Sequence, residues 1–189
     1  MKVVGLSGSR IGSKTRTAME YTMTAVADKY PDAETTLIDL ADYDIQFSDG
    51  RDYREYEGDT KYVTQIIMEA DAIIIGTPIF QASIPATLKN IFDLIPADAL
   101  QGKVASILVT AGSPKHYLIA EQQLKPILGY MKALVVQTYV FIEAKDFYQK
   151  EIINEDVLDR MDRLAEDTAV LTETYKRIRE EKEADLSFS

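Results

Sequence analysis

The sequence predicts an α/β fold built on one parallel β-sheet of five strands, with helices on both faces. Short apolar segments rich in valine and isoleucine alternate along the chain with segments whose apolar residues recur every three or four positions. The first pattern is typical of strands buried in a parallel sheet, and the second is typical of the helices that cover it. The length of 189 residues suits one domain, expected here to span 1–189, because domains commonly contain about 100–200 residues.

Three strands and two helices are predicted in the first half of the chain. The strands are expected at 3–6, 35–40 and 72–75, and the helices at 17–29 and 60–70. Pro31 marks the end of the first helix. The polar segment 42–58 is expected to form a long surface loop, and it contains Tyr43, Tyr53 and Tyr56.

Two further strands and three helices are predicted in the second half. The strands are expected at 104–110 and 133–142, and the helices at 85–95, 113–131 and 155–182. Pro85 suits the first position of its helix, and Ser113 followed by Pro114 suits the cap and first position of the next one. The last residues of the chain, rich in glutamate and aspartate, are expected to fray.

This alternation favours a doubly wound sheet of the flavodoxin-like order 2-1-3-4-5 over an α/β barrel, which requires eight strands. Ligands of such open sheets bind beyond the carboxyl ends of the strands, at the switch point between the first and third strands. Functional residues are therefore expected in the three turns that follow the first, third and fourth strands.

Composition excludes several classes of function. The chain has no cysteine and a single histidine, His116, so disulfides, cysteine nucleophiles, cysteine-based zinc sites and multi-histidine metal sites are excluded. A net charge of −10 disfavours nucleic acid and anionic membrane as partners. No apolar run approaches the length of a membrane span, and a cytoplasmic location is expected. No catalytic side chain and no metal site are predicted.

The turn after the first strand combines small residues, hydroxyls and cations. Backbone amides at the start of the following helix favour a phosphate group, and small side chains let it approach closely. The candidate ligands are Ser9, Arg10, Ser13, Lys14 and Thr15. A plain turn with a solvated basic edge is the alternative. The turn is not a P-loop, because Ser13 separates Gly12 from Lys14, and it lacks the dinucleotide motif G-x-G-x-x-G.

The other two turns offer surfaces for a flat ring. The candidates after the third strand are Pro78, Ile79, Phe80 and Gln81, and those after the fourth are Ala111, Gly112 and Ser113. The alternatives are a loop shaped by its prolines and a well-capped helix start. His116 is interpreted as a solvated residue of the first helical turn rather than a catalyst.

Together the three turns resemble the NADPH-dependent FMN reductase family, whose fold is flavodoxin-like. Residues 8–13 are similar to its phosphate loop G-S-x-R-x-x-S but lack the residue before the arginine. Residues 76–80 resemble its T-P-V-Y turn, and 86–96 resemble the helix that follows. Residues 111–128 are similar to its G-G-S…H-L…L-K-P-V-L stretch, with Ala111 in place of the first glycine. The resemblance covers 1–145 and is closest to the reductases that supply reduced FMN to alkanesulfonate monooxygenases.

The resemblance implies FMN, with its phosphate in the first turn and its ring between the second and third. It also implies hydride transfer from NADPH or NADH through FMN to free flavin, a quinone, an azo dye or a similar acceptor. A flavodoxin-type electron carrier and a regulatory nucleotide-binding module remain the alternatives. Family members form dimers and tetramers, so a homodimer or homotetramer is expected. The apolar helices 85–95 and 113–131 are predicted to provide the contact.

Overall fold

The computed structural model describes the backbone of residues 1–187 and the side chains of 1–184. Its central sheet contains β1 (Lys2–Ser7), β2 (Glu34–Asp39), β3 (Ala72–Pro78), β4 (Val104–Ala111) and β5 (Leu134–Val135). The strands lie in the order β2-β1-β3-β4-β5, and every paired neighbour is parallel, so β2 is an edge strand and β1, β3 and β4 are inner strands. The predicted order is therefore confirmed. β3 and β4 are buried along their whole length, which explains their continuous apolar sequence.

The fifth strand position differs from the prediction of one strand at 133–142. It is divided into β5 (Leu134–Val135) and β6 (Val140–Glu143), both of which pair with β4. Val135 pairs with Ala105 and Val140 pairs with Leu108, so the outer strand contains more residues between these pairs than β4 does. The extra residues cannot stay in the ladder and bulge outward, and the Lys125 ammonium donates a hydrogen bond of 2.7 Å to the carbonyl of Gln137 there.

Helices cover both faces of the sheet, as predicted. They are α1 (Lys14–Lys29), α2 (Gly58–Glu69), α3 (Ala86–Leu94), α4 (Lys125–Tyr130) and α5 (Glu155–Ser187). One core contains residues of α1 and α5, and the other contains residues of α2, α3 and α4. Pro85 immediately precedes α3 instead of opening it. α5 continues past the predicted end at 182 into the acidic residues that were expected to fray, and of that stretch 188–189 lie outside the described residues.

The predicted helix at 113–131 is broken into three pieces. A 3₁₀ turn at Pro114–His116 and a π-helical turn at Ala120–Leu124 precede the short α4. Pro126 lies in the first turn of α4 and has no N–H to donate, so a regular α-helix cannot run through this position with all of its hydrogen bonds. The π-helical turn and α4 follow each other without a gap, so the proline accounts for the wider turn before it, and the predicted helix is interrupted at Tyr117 and Leu118.

The segment between β2 and α2 is not wholly a surface loop. Tyr56 is only 1% exposed and packs in the core with Leu40 and Val63. Its hydroxyl donates to Asp49 Oδ1 at 2.8 Å and accepts from the Asp49 amide at 3.0 Å. The segment is therefore anchored to the domain, and Tyr56 corrects the prediction of a surface loop over 42–58.

The apolar surface predicted on the helix at 85–95 is also corrected. Leu88, Ile91, Phe92 and Ile95 are all buried within the chain itself, each at most 7% exposed. In the segment that follows β4, the exposed apolar residues are Tyr117, Leu118 and Tyr130. Of the two segments predicted to form the contact, the one after β4 therefore exposes large apolar side chains and α3 does not.

A hairpin that the sequence analysis did not predict follows β6. It consists of β7 (Phe147–Tyr148) and β8 (Glu151–Ile152), joined through Gln149 and Lys150, which both have positive φ. The hairpin places Phe147 near the start of α1, where the Lys14 ammonium lies 5.5 Å from the ring centre. Across residues 1–187, no helix combines the length and apolar character that a membrane span requires.

Candidate active site

The turn between β1 and α1 is shaped by a backbone hydrogen bond to β3 and by the buried side chain of Ser9. The Gly8 amide donates to the carbonyl of Gly76 at 2.8 Å, which ties the turn to the end of β3. Ser9 is buried, and its hydroxyl donates to the Ile11 carbonyl at 2.8 Å and accepts from the Ile11 amide at 3.1 Å. Gly12 then takes a φ of 87°, which favours glycine. Ser9 therefore supports the turn from inside and does not line its open side.

The first turn of α1 has the features of an anion site. Its first helical hydrogen bond is donated by the Thr17 amide to the carbonyl of Ser13 at 2.8 Å. By helix geometry, the amides of residues 14–16 precede that bond and have no partner within the helix. The Ser13 side chain makes no capping bond, and the first turn contains no acidic residue. These amides and the positive end of the helix dipole suit a phosphate group.

The three cations near this turn have different surroundings. Arg16 lies 3.0 Å from an Asp42 oxygen, 3.3 Å from buried Asp39 and 2.9 Å from Glu20, so its charge is already balanced. The hydrogen bond to Glu20, together with attraction to Asp42 and Asp39, raises the pKa of the Arg16 guanidinium. Arg10 is exposed at the edge of the turn. Lys14 is the one of the three that lines the cleft described below.

The turns after β3 and β4 approach each other closely. The Ile79 amide donates to the Thr110 carbonyl at 3.2 Å. The Thr110 hydroxyl in turn lies 2.7 Å from the Thr15 hydroxyl, and both side chains are buried. This pair joins the end of β4 to the first turn of α1, so the three turns are linked to one another by hydrogen bonds.

Between these turns lies a cleft of about 390 Å³ at the carboxyl end of the sheet. Of the predicted site residues, those that line it are Ser13, Lys14, Thr15, Pro78, Ile79, Phe80, Ala111 and Gly112. Its size is that of a small-molecule site. The cleft lies at the predicted switch point, beside the ends of β1, β3 and β4.

Four predicted site residues lie outside this lining. Ser9 is buried in the turn, and Arg10 and Gln81 are exposed beside it. The Ser113 hydroxyl accepts from the Lys115 amide at 3.3 Å and caps the 3₁₀ turn, which is the capping role predicted for it.

The cleft also contains residues that sequence reasoning missed, namely Ile11, Gly12, Thr110 and Phe147. The first three lie within or beside the predicted turns, so their positions alone could have identified them. Phe147 follows the end of the sheet and belongs to the missed hairpin. No local pattern in the sequence identifies it.

The residues of the cleft fit FMN in two respects. The unpaired amides at the start of α1, with Lys14 beside them, provide the donors that a phosphate requires. At the other end, a Cβ atom added to Gly112 would meet no protein atom within 4 Å, so a flat group can approach this backbone. Among residues 1–184, no cluster of acidic or histidine side chains could hold a metal ion. His116 lies outside the cleft lining.

Comparison with known proteins agrees with this arrangement. A sequence model of the NADPH-dependent FMN reductase family matches residues 1–147. An NAD(P)H-dependent FAD/FMN reductase from Geobacillus thermodenitrificans is 39% identical over 166 residues, which cover 87% of this chain and 90% of that protein. The NADH-dependent FMN reductase SfnF from Pseudomonas fluorescens is 28% identical, covering 93% of this chain and 94% of that protein.

A solved structure supports the same relationship. The apo form of the NADH:FMN oxidoreductase EMOB superposes with a TM-score of 0.77 at 28% identity, covering 89% of this chain and 88% of the other. The sequence match reaches as far as Phe147 and includes all three turns of the cleft. The chain therefore belongs to the NADPH-dependent FMN reductase family and is an oxidoreductase that uses FMN with NADPH or NADH.

Proposed function

We propose that this cleft holds FMN in one orientation, with the phosphate at the start of α1 and the ring between Phe80 and Gly112. The observation that carries the proposal is the shape of the cleft, which has amide donors at one end and apolar or bare backbone surfaces at the other. A phosphate requires the first surface, and a flat heterocycle fits the second. Lys14 adds a charge-assisted contact at the phosphate end.

Bound in this cleft, FMN would supply the redox chemistry, namely hydride uptake from NAD(P)H and release of the electrons to an acceptor. The work left to the protein is to bind and orient the ring and to keep one face accessible. The absence of cysteine and the place of His116 outside the cleft lining agree with a site that uses no protein nucleophile. Free flavin, a quinone, an azo compound or a similar planar acceptor is proposed to use the open side, where Phe80 is 41% exposed.

We further propose that residues 1–189 act as one FMN-binding domain in a homodimer or homotetramer. The exposed Tyr117, Leu118 and Tyr130 supply the apolar side chains for such a contact. A cytoplasmic location is proposed because NAD(P)H, the reductant, is a cytoplasmic metabolite.

The decisive experiment is steady-state oxidation of NADPH and of NADH by the purified protein, with and without added FMN. Turnover that requires FMN is expected, and a series of acceptors under anaerobic conditions then ranks free flavin, quinones and azo dyes. An FMN-loaded protein that accepts electrons only from protein partners would instead indicate a flavodoxin-type carrier. A protein that neither binds FMN nor oxidises either nucleotide would overturn the proposal.

A further inference from the structure

The turn at 80–83, on the rim of the cleft, has a backbone conformation that its own residues disfavour. The Phe80 amide donates to the Ser83 carbonyl and the Ser83 amide to the Phe80 carbonyl, both at 2.9 Å, which closes a two-residue hairpin turn. The two central residues have positive φ, 49° at Gln81 and 58° at Ala82. Asparagine and glycine are strongly preferred at such positions, because other side chains meet steric resistance there.

A single side chain from a distant segment holds this turn. Gln123 belongs to the π-helical turn Ala120–Leu124 and is 40 residues from Ser83 in the chain. Its Oε1 accepts a hydrogen bond of 2.5 Å from the Ser83 hydroxyl, and its Nε2 donates one of 3.2 Å to the Ala82 carbonyl. One bond ends on Ala82, a residue with positive φ, and the other ends on Ser83, which follows it. Strained backbone persists where surrounding structure over-determines it, and such places cluster at ligand clamps.

We propose that Gln123 is a positioning residue for flavin binding. It holds the 80–83 turn in the left-handed conformation and so keeps Phe80, which lines the cleft, in place against the ring. The π-helical turn Ala120–Leu124 therefore controls how tightly the ring is held, although Gln123 does not itself line the cleft. The inference rests on the proposed function, because it takes the ring to be that of FMN.

The test compares Gln123→Leu, which removes both bonds at similar volume, with Gln122→Leu, an exposed neighbour in the same π-helical turn. Gln123→Leu is expected to raise the Kd for FMN by about three- to tenfold, because two hydrogen bonds that hold the turn are lost. The wavelength of the visible absorption maximum of bound FMN should also shift. Gln122→Leu should match the wild type in both measurements. Ser83→Ala removes only one bond and should give a smaller loss, so it carries the test if Gln123→Leu fails to fold.

A rescue separates positioning from a general loss of stability. Glycine adopts positive φ without a clash, so adding Ala82→Gly to Gln123→Leu should return the Kd for FMN to within about twofold of the wild type. Equal FMN affinity and spectra in Gln123→Leu and Gln122→Leu would overturn the inference, and so would a loss that Ala82→Gly does not repair. In either case an active wild type leaves the proposed function intact. A wild type without FMN binding would overturn both.

Discussion

Substitution of Gly112 by valine should separate flavin binding from folding. A Cβ atom at this position meets no protein atom within 4 Å, and no positive φ requires glycine there. The unfolding free energy of the flavin-free protein should therefore change by no more than about 0.5 kcal/mol, as at other unconstrained surface positions. The valine side chain would instead occupy part of the cleft of about 390 Å³ that the flavin ring is proposed to fill.

The expected loss of affinity follows from the cost of crowding a packed contact. Inserting extra carbon atoms into such a contact costs about 1–3 kcal/mol, which corresponds to an increase in Kd of about five- to 150-fold. Gly129→Val is the matched control, because Gly129 also has free space around its Cβ position but lies on α4 outside the cleft lining. Its affinity for FMN should equal that of the wild type.

Fluorescence titration of FMN gives the affinities, and thermal unfolding without flavin gives the stabilities, since bound ligand would itself raise the Tm. A folded Gly112→Val protein with wild-type FMN affinity would refute the placement of the ring against Gly112. A fall in flavin-free stability well beyond that of Gly129→Val would refute the argument that this position has free space.

Three further predictions follow from the site and its surroundings. Lys14→Ala should weaken FMN binding by about 1.5–3 kcal/mol, because it removes the charge-assisted contact proposed at the phosphate end, and unchanged affinity in a fluorescence titration would remove Lys14 from the site. His116→Ala should retain most of the rate of flavin reduction in stopped-flow measurements, because hydride transfer to the ring requires no protein acid. Light scattering over a dilution series should report an oligomer, and a fully active single chain at micromolar concentration would contradict that expectation.

The inner strands were predictable because their sequence signal is local. The residues at 72–75 lie buried on both faces of the sheet, so burial alone requires a continuous apolar run. The outer strand lacks this property, since Gln137 and Thr138 are exposed in the bulge between β5 and β6. The number of residues in a bulge depends on the register with β4, which no local pattern encodes. Pro126 is different, because the irregular π-helical turn before it could have been predicted from the missing N–H.

The residues proposed for the phosphate end were also identifiable from the sequence, while several residues proposed for the ring end were not. Ser13, Lys14 and Thr15 lie at the start of α1, after the turn that follows β1, so the strand-to-turn-to-helix pattern identifies them. Phe147 comes to the cleft from a hairpin far along the chain, and the bonds of Gln123 to the 80–83 turn depend on tertiary packing. Periodicity carries no information about either contact.

This difference between the two ends has a functional consequence. The proposed phosphate end uses backbone amides of α1, which every residue except proline supplies, so the shortened loop before Arg10 need not weaken the site. The proposed ring end depends on the identity of Phe80, Gly112 and Phe147, which lie in three separate segments. A substitution there changes the shape of the open side without touching the phosphate donors. Substitutions at these three positions should therefore change the preference among planar acceptors, while the affinity for the phosphate group remains nearly constant.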